Sequence, residues 1–540
     1  MPCAEIFTTI AFCGFLFFFG IGSFGLLGPD EPRYAQIARE MLARHDWVVP
    51  LLNGTPWLEK PVLYYWSAML SYSVFGVSDW AARVPSALLA TFMVLGIYAF
   101  ARRFRSGSQL DAALITASST AAIGFAHGAS TDMALAATLT LALLAWYAWL
   151  ESSHRKWLLA SYFCLALGTL AKGPVAPALA GVMLAVFAGL RRNAEMLRRT
   201  LWWPGVLLFC AVSFPWYVLV QLRTGTFFRV FILEHNLARF GSNMFQHSQP
   251  FWYYLPVLLV SLLPWTVLAF KAVADAISEA CAKEASAKED AGDLEDAAYR
   301  LFLLVWAAVP LIVFSISRSK LPGYILPSIP AVTLLVADSL RERARSGKRL
   351  PAALNLPHAM FAASVLAAAL LAPAMILHQK PGRLNLMVAG AAWAVTVAGM
   401  AATVYTRGAK AVRFVTLVPV IVAVGFVIRV GSPAINAAES ARPVARELAR
   451  METQPRTVAL FNVRRELEYG LNFYRNQAPP IYDRGAIPTE DHLLVAKTGS
   501  LDALQALLPG RRFSRVGEFA PQRLEIFWVS TPPPEEHHHH

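Results

Sequence analysis

Charge is scarce in this sequence. Asp, Glu, Lys and Arg make up 15% of its 540 residues, well below the about 25% of a soluble globular domain. That excludes a free-standing soluble enzyme. Cysteine is scarcer still: Cys3, Cys13, Cys164, Cys210 and Cys281 are the whole set, and they form neither a disulfide framework nor a zinc-ligand spacing. Glycine is not gathered into a phosphate loop. Gly499 and Gly510 stand alone, so no nucleotide motif follows a strand. No long internal repeat is visible. The first apolar run has only Glu5 ahead of it as a charged leader and no small-residue cleavage site, so it is expected to be retained rather than removed as a signal peptide.

What abounds is apolar surface: 56% of the residues are hydrophobic and the mean hydropathy is +0.46. Runs long enough to cross a bilayer cover residues 6–27, 81–101, 109–127, 131–150, 157–171, 174–190, 202–220, 252–270, 300–316, 322–340, 359–377, 384–405 and 414–431. About thirteen membrane helices are expected. Basic residues gather in alternate gaps: Arg102, Arg103 and Arg105; Arg155 and Lys156; Arg191, Arg192, Arg198 and Arg199; Arg341, Arg343, Arg345, Lys348 and Arg349; Arg407, Lys410 and Arg413. The positive-inside rule makes that side cytoplasmic. The N-terminus is then inside, and the chain beyond residue 432 is outside. The formal charge of +13 lies mostly in these loops, facing anionic lipid; it implies no nucleic-acid partner.

Two loops on the outer side are long, 28–80 and 221–251. In the first, Tyr34, Ile37, Met41 and Leu42 recur at helical spacing, and 61–75 carries Tyr64, Tyr65, Trp66, Tyr72 and Phe75. Both stretches are expected to be short helices lying in the membrane plane. The outer turns also hold Lys172, Arg318, Lys320, Lys380 and Arg383, against the charge rule. Singly, such cations snorkel to headgroups; as a set they suit a phosphate-bearing ligand. From 433 to 534 short helices and strands alternate, and 535–540 read as a tag remnant. The expected fold is an all-α polytopic membrane domain over 1–432 with a small soluble α/β C-terminal domain.

Asp30 and Glu31 follow the first span directly. Carboxylates are costly beside a membrane and so mark a functional site, although Pro29-Asp30-Glu31-Pro32 is equally a good helix start. The pair belongs to a series of motifs: PDEPRYAQIAREM at 29–41, EKPVLYYW at 59–66, HGASTDMAL at 127–135, AKGP at 171–174, EHNLARF at 234–240, HSQPFWYY at 247–254 and SRSKLPGYILPSIPA at 317–331. With these motifs the chain resembles GT-C membrane glycosyltransferases of the protein-mannosyltransferase-like group. Within that group it looks most like lipid A 4-amino-4-deoxy-L-arabinose transferases.

The resemblance implies transfer of that sugar from undecaprenyl phosphate to a lipid A phosphate. The reaction would invert the anomeric centre and take place on the periplasmic face of a bacterial inner membrane, giving polymyxin resistance. Asp30 is then the favoured catalytic carboxylate, with Glu31 and Asp132 as further acidic members; Asp132 also suits an N-cap. Lys60, Arg33, Tyr34, Arg239, Lys320 and Tyr324 would hold the donor phosphate, which cations can stabilise without a metal. Lys172 and Arg318 are candidates for the acceptor phosphate. Trp57, Tyr64, Tyr65, Trp66, Trp252, Tyr253 and Tyr254 suit either an interfacial belt or a groove for the polyprenyl chain. No cofactor is required. Glu59, His235 and His247 could hold a structural divalent metal such as zinc, or serve as hydrogen-bonded structural groups. The rival readings are a polyprenyl-phosphate-dependent transferase with a protein or other glycan acceptor, and a lipid transporter or flippase.

Overall fold

The computed structural model describes residues 2–231, 249–283, 291–347, 350–408, 411–452 and 456–531. The apolar runs expected from the sequence fall on helix, except that the first, 6–27, is helical only to Phe18. Among the described residues, eight helices are long and apolar enough to cross a membrane, or nine if the bent pair Phe251–Ser261 and Thr266–Cys281 is one span. The chain is a polytopic membrane protein.

Two expected spans are broken. Residues 109–127 divide into α5 (Gln109–Ala117) and α6 (Thr120–Ala126), because Ser119 turns out of the helix and its hydroxyl caps α6 at the Ala122 N–H. Residues 252–270 bend by 116° at Leu262–Trp265, where Pro264 has no N–H to offer. The two breaks meet. The Thr120 N–H and hydroxyl both bond to Leu263 O, at 2.9 and 3.1 Å, and Trp265 Nε1 donates to Ser118 Oγ at 2.8 Å. Opened backbone in an apolar layer must find such partners, and here each break supplies the other's.

The remaining helices around the site follow ordinary signals. α4 (Asp79–Phe104) begins at Ser78, whose hydroxyl accepts the Ala81 N–H, and ends on Arg102 and Arg103, which complement its dipole. At that same end of the bundle lie Arg300 and Arg341, which share the buried Asp338 at 2.9 and 2.6 Å. Arg429, inside the expected span 414–431, stacks on Phe19 at 5.5 Å.

The first long loop is a small packed unit. α2 (Asp30–Ala43), the hairpin β1 (Leu51–Leu52) and β2 (Thr55–Pro56), and α3 (Leu63–Phe75) bury Tyr34, Ile37, Met41, Tyr64, Tyr65 and Tyr72 in one core. Trp216 and Tyr217, on the helix Trp203–Thr224, join that core. Membrane-plane helices were expected here. Each helix buries one face in this core, and Leu70, Val74 and Phe75 remain exposed on α3. The rings of Tyr64 and Tyr65 are therefore core rather than interfacial belt. Trp252 is exposed, and Tyr254 is buried.

The C-terminal domain has the expected mixed architecture. Its sheet runs β3-β4-β6-β5, with β3 (Val458–Phe461) parallel to β4 (His492–Lys497), and β6 (Leu524–Ser530) antiparallel to β4 and to β5 (Arg512–Phe519). The helices Arg442–Met451 and Arg465–Arg475 pack Val444, Leu448, Leu467 and Leu471 onto it. Composition changes near 433, but the helical run from Val412 continues to Glu439. The domain's own core starts at Ala441.

This domain sits on the exit of the first helix. Arg442 donates to Gly22 O, Ser23 O and Asp79 at 3.0, 2.8 and 2.8 Å. The Tyr474 hydroxyl accepts the Leu26 N–H at 2.8 Å and donates to Asp79 at 3.2 Å. Gly25 is needed at this contact, since a Cβ there would collide with Ser440 and with the Tyr474 hydroxyl.

Candidate active site

Glu31 and Asp30 are neighbours with different fates. Pro29 is the N-cap of α2 and neither carboxylate caps the helix in its place. Asp30 is the first helical residue, half-exposed, and pairs with Arg33 one turn on. Glu31 turns inward to Arg83 at 2.7 Å. Arg83 is fully buried and also donates to Ile21 O, Phe24 O and Gly25 O at 3.0, 2.8 and 2.8 Å. Glu31 further accepts the N–H groups of Leu27 and Ala129 at 3.0 and 3.2 Å. It is the counter-ion of a buried guanidinium and ties α2 to α4 and to the 127–131 turn. Glu31, expected as a further acidic member of the site, thus has a structural role while it also lines the cavity it shares with Asp30 and Asp132.

Asp132 lies in the first turn of α7 (Thr131–Ser152), but the cap is Ser130, whose hydroxyl accepts the Asp132 N–H at 3.3 Å. That leaves the Asp132 carboxylate for Lys172, at the end of α8 (Arg155–Lys172), with which it forms an ion pair. The Lys172 ammonium also lies 4.9 Å from the centre of the Tyr324 ring, a cation–π contact. Gly323 allows this approach: a Cβ there would stand 2.7 Å from Asp132 Cγ. Asp30, Glu31 and Asp132 line one cavity of about 400 Å³, with Thr120, Phe125, Ser130 and Ser261 among its other walls. The broken spans thus form part of its wall.

On the other side of Asp30 stands the Arg33 guanidinium, enclosed by the rings of Trp57, Tyr469 and Tyr34 at 4.9, 5.3 and 5.4 Å. Burial works against this charge, but Tyr34, Asp30 and Glu59 outweigh it and hold the pKa above the ordinary arginine value. Arg33 Nε and the neighbouring Tyr65 hydroxyl are buried and have no hydrogen-bond partner among the described residues. Orphaned buried donors beside a cation call for an explanation, and an anionic ligand supplies one. Glu59 and Lys60 are half-buried in the segment between β2 and α3, and both are engaged with neighbours.

Three donor-phosphate expectations change. Tyr34 is a core residue, 3% exposed, wedged between Tyr64 and Tyr65 at 6.1 Å from each. Lys320 is buried and donates to Ser317 O and Gln249 O, the latter at 3.2 Å. It pins its own loop. Tyr324 presents its ring to Lys172. Arg318 is exposed on the same loop. Arg239, His235 and His247 lie outside the described residues, and among the described residues no three His, Cys, Asp or Glu side chains are grouped to hold a metal ion. Reading the sequence alone missed Arg83, which looks like one more basic residue in an apolar run, and Tyr469, which lies far along the chain in another domain.

Asp30, Glu31 and Asp132 thus share one cavity at the first-loop end of a broken-helix membrane bundle, and the cations Arg33 and Lys172 pair with two of them. Comparison with known proteins shows what the chain is similar to. Residues 59–218 match the family model described as dolichyl-phosphate-mannose-protein mannosyltransferase. The chain is 34% identical over 372 residues to an undecaprenyl phosphate-alpha-4-amino-4-deoxy-L-arabinose arabinosyl transferase of Pseudomonas aeruginosa, a match covering 66% of this chain and 64% of that one. A protein of the same name from Edwardsiella ictaluri is 32% identical over 330 residues, covering 60% and 57%. The chain thus spans somewhat less than two thirds of these relatives' length. The crystal structure of ArnT from Cupriavidus metallidurans bound to undecaprenyl phosphate superposes with a TM-score of 0.77 at 24% identity, over 98% of both chains. The resemblance carried by PDEPRY, EKPVLYYW and SKLPGYILP therefore holds, and the fold is that of ArnT.

Proposed function

We propose that this protein is an inverting glycosyltransferase. It takes 4-amino-4-deoxy-L-arabinose from undecaprenyl phosphate and places it on a phosphate of lipid A, at the periplasmic face of a bacterial inner membrane. The added positive charge would weaken cationic antimicrobial peptides such as polymyxin. The observation that carries this reading is the shared cavity of Asp30 and Asp132, with Arg33 and Lys172 paired to them. The names of the relatives supply the sugar and its carrier.

In this reading the orphaned Arg33 Nε and Tyr65 hydroxyl, with Lys60, receive the lipid phosphate as it leaves. Charge-assisted donors suffice for a phosphate monoester leaving group, so no metal enters the step. The acceptor phosphate is already ionised at neutral pH and attacks the anomeric carbon as the bond to the lipid phosphate breaks. Asp30 faces the positive charge that develops on the sugar ring. Lys172, beside Asp132, offers the acceptor phosphate a cation.

Mass spectrometry of lipid A from cells with and without the protein tests this directly. An added aminopentose is expected only with it. The match to the protein-mannosyltransferase description gives a second reading, with protein as acceptor; label from the donor appearing in protein while lipid A stays unchanged would select that one. Lys60→Ala is expected to weaken binding of undecaprenyl phosphate about tenfold, the effect of losing one charged hydrogen bond. Unchanged affinity in a binding titration would remove Lys60 from the site.

A further inference from the structure

The C-terminal domain reaches the proposed catalytic helix through one of its own helices. Arg465–Arg475 lies against α2. Arg39 donates to Phe473 O at 2.7 Å and stacks on the Phe473 ring at 4.4 Å. Gln36 donates to Asn476 at 3.2 Å, and Asn472 to Asn53 in the hairpin turn at 2.8 Å. Phe473 is buried in the first-loop core. Tyr469 is one turn before it on the same helix face, and its ring therefore stands over Arg33 on a rigid base. The three rings around that guanidinium come from three parts of the chain: α2 itself, the first-loop hairpin and the C-terminal domain.

We propose that Tyr469 is a positioning residue for the transfer reaction: the C-terminal domain supplies the third aromatic wall that fixes the Arg33 guanidinium against Asp30. The inference rests on the functional reading above and goes beyond it, since it gives the soluble domain a part in the chemistry. A guanidinium held by ring faces keeps one pose and one distance from its carboxylate. Without the third ring it gains freedom and water, and the Asp30 carboxylate loses its fixed orientation toward the sugar. Small losses of alignment cost rate steeply.

The test uses the purified full-length protein with undecaprenyl phosphate-aminoarabinose as donor and lipid A as acceptor. Tyr469→Phe keeps the ring and is expected to retain kcat within about twofold. Tyr469→Leu keeps apolar bulk without the ring and is expected to lower kcat about tenfold. Because Arg33 also faces the leaving phosphate, affinity for undecaprenyl phosphate should fall as well, but by no more than about threefold, less than the loss in kcat, which separates positioning from direct ligand contact. If Tyr469→Leu is poorly folded, Tyr469→Met takes its place under the same expectation. Full kcat in the ring-less variants would overturn the proposal. So would a Phe variant as slow as Leu, or an affinity loss equal to the rate loss. A wild-type protein that transfers no aminoarabinose to lipid A would instead sink the functional reading.

Discussion

Asp30→Asn is expected to abolish sugar transfer, by about a thousandfold or more, the scale on which a positioned catalytic carboxylate acts. Its thermal stability should stay near wild type. The argument rests on where the carboxylate is. It caps no helix, it is half-exposed, and its partner Arg33 lies on the same helix. Arg33 is buried, but it keeps its three rings and the attraction of Glu59 when the half-exposed Asp30 charge is lost, so the stability loss should be on the order of 1 kcal/mol. What is lost is the negative potential at the cavity mouth, needed when positive charge develops on the sugar ring. Lipid A mass spectra from cells carrying the variant, together with rates for the purified enzyme, check the expectation. A normally modified lipid A would remove Asp30 from the mechanism.

The adjacent carboxylate should behave in the opposite way. Glu31→Ala is expected to destabilise the protein by about 3–5 kcal/mol, the range for stranding one member of a buried ion pair. Against a total of about 5–15 kcal/mol for a typical domain, that is enough to deplete the folded form. The guanidinium of Arg83 would keep three carbonyl acceptors and lose its only carboxylate partner among the described residues. Glu31→Gln keeps an acceptor for the Leu27 and Ala129 N–H groups and should fall between the two. Thermal unfolding in detergent, with the yield of inserted protein, measures this. If Glu31→Ala kept its stability but lost its activity, Glu31 would belong to the chemistry after all.

These two residues also mark how far the sequence could be read. The pattern of apolar runs gives the helices, and the acidic pair at the end of the first run gives the place of the site. Nothing in PDEPRY separates Asp30 from Glu31, because the difference is made by Arg83, which comes 52 residues after Glu31. Asp132 was legible as acidic and close to a helix start. Its partner Lys172 was legible only as an outer cation, since the pair joins the start of α7 to the end of α8. The breaks at Ser118–Ser119 and Leu262–Trp265 were missed because each run is apolar on average, and hydropathy does not report the hydrogen bonds that let the two breaks satisfy each other. Tyr34 and Lys320 were read by residue type as phosphate donors. Burial decided otherwise: one became core and the other spends its protons on loop carbonyls.

The docking of Arg442 and Tyr474 on the turn after the first helix has a consequence for biosynthesis. A nascent chain exposes Asp79 long before Arg442, 363 residues downstream, leaves the ribosome. At about 5–20 residues per second, Asp79 waits roughly 20 to 70 seconds for its partner. During that interval the membrane helices from α4 onward are synthesised, yet the turn after the first helix lacks its partner domain. A stop codon just before Arg442 should therefore abolish the proposed transfer even though the bundle is complete.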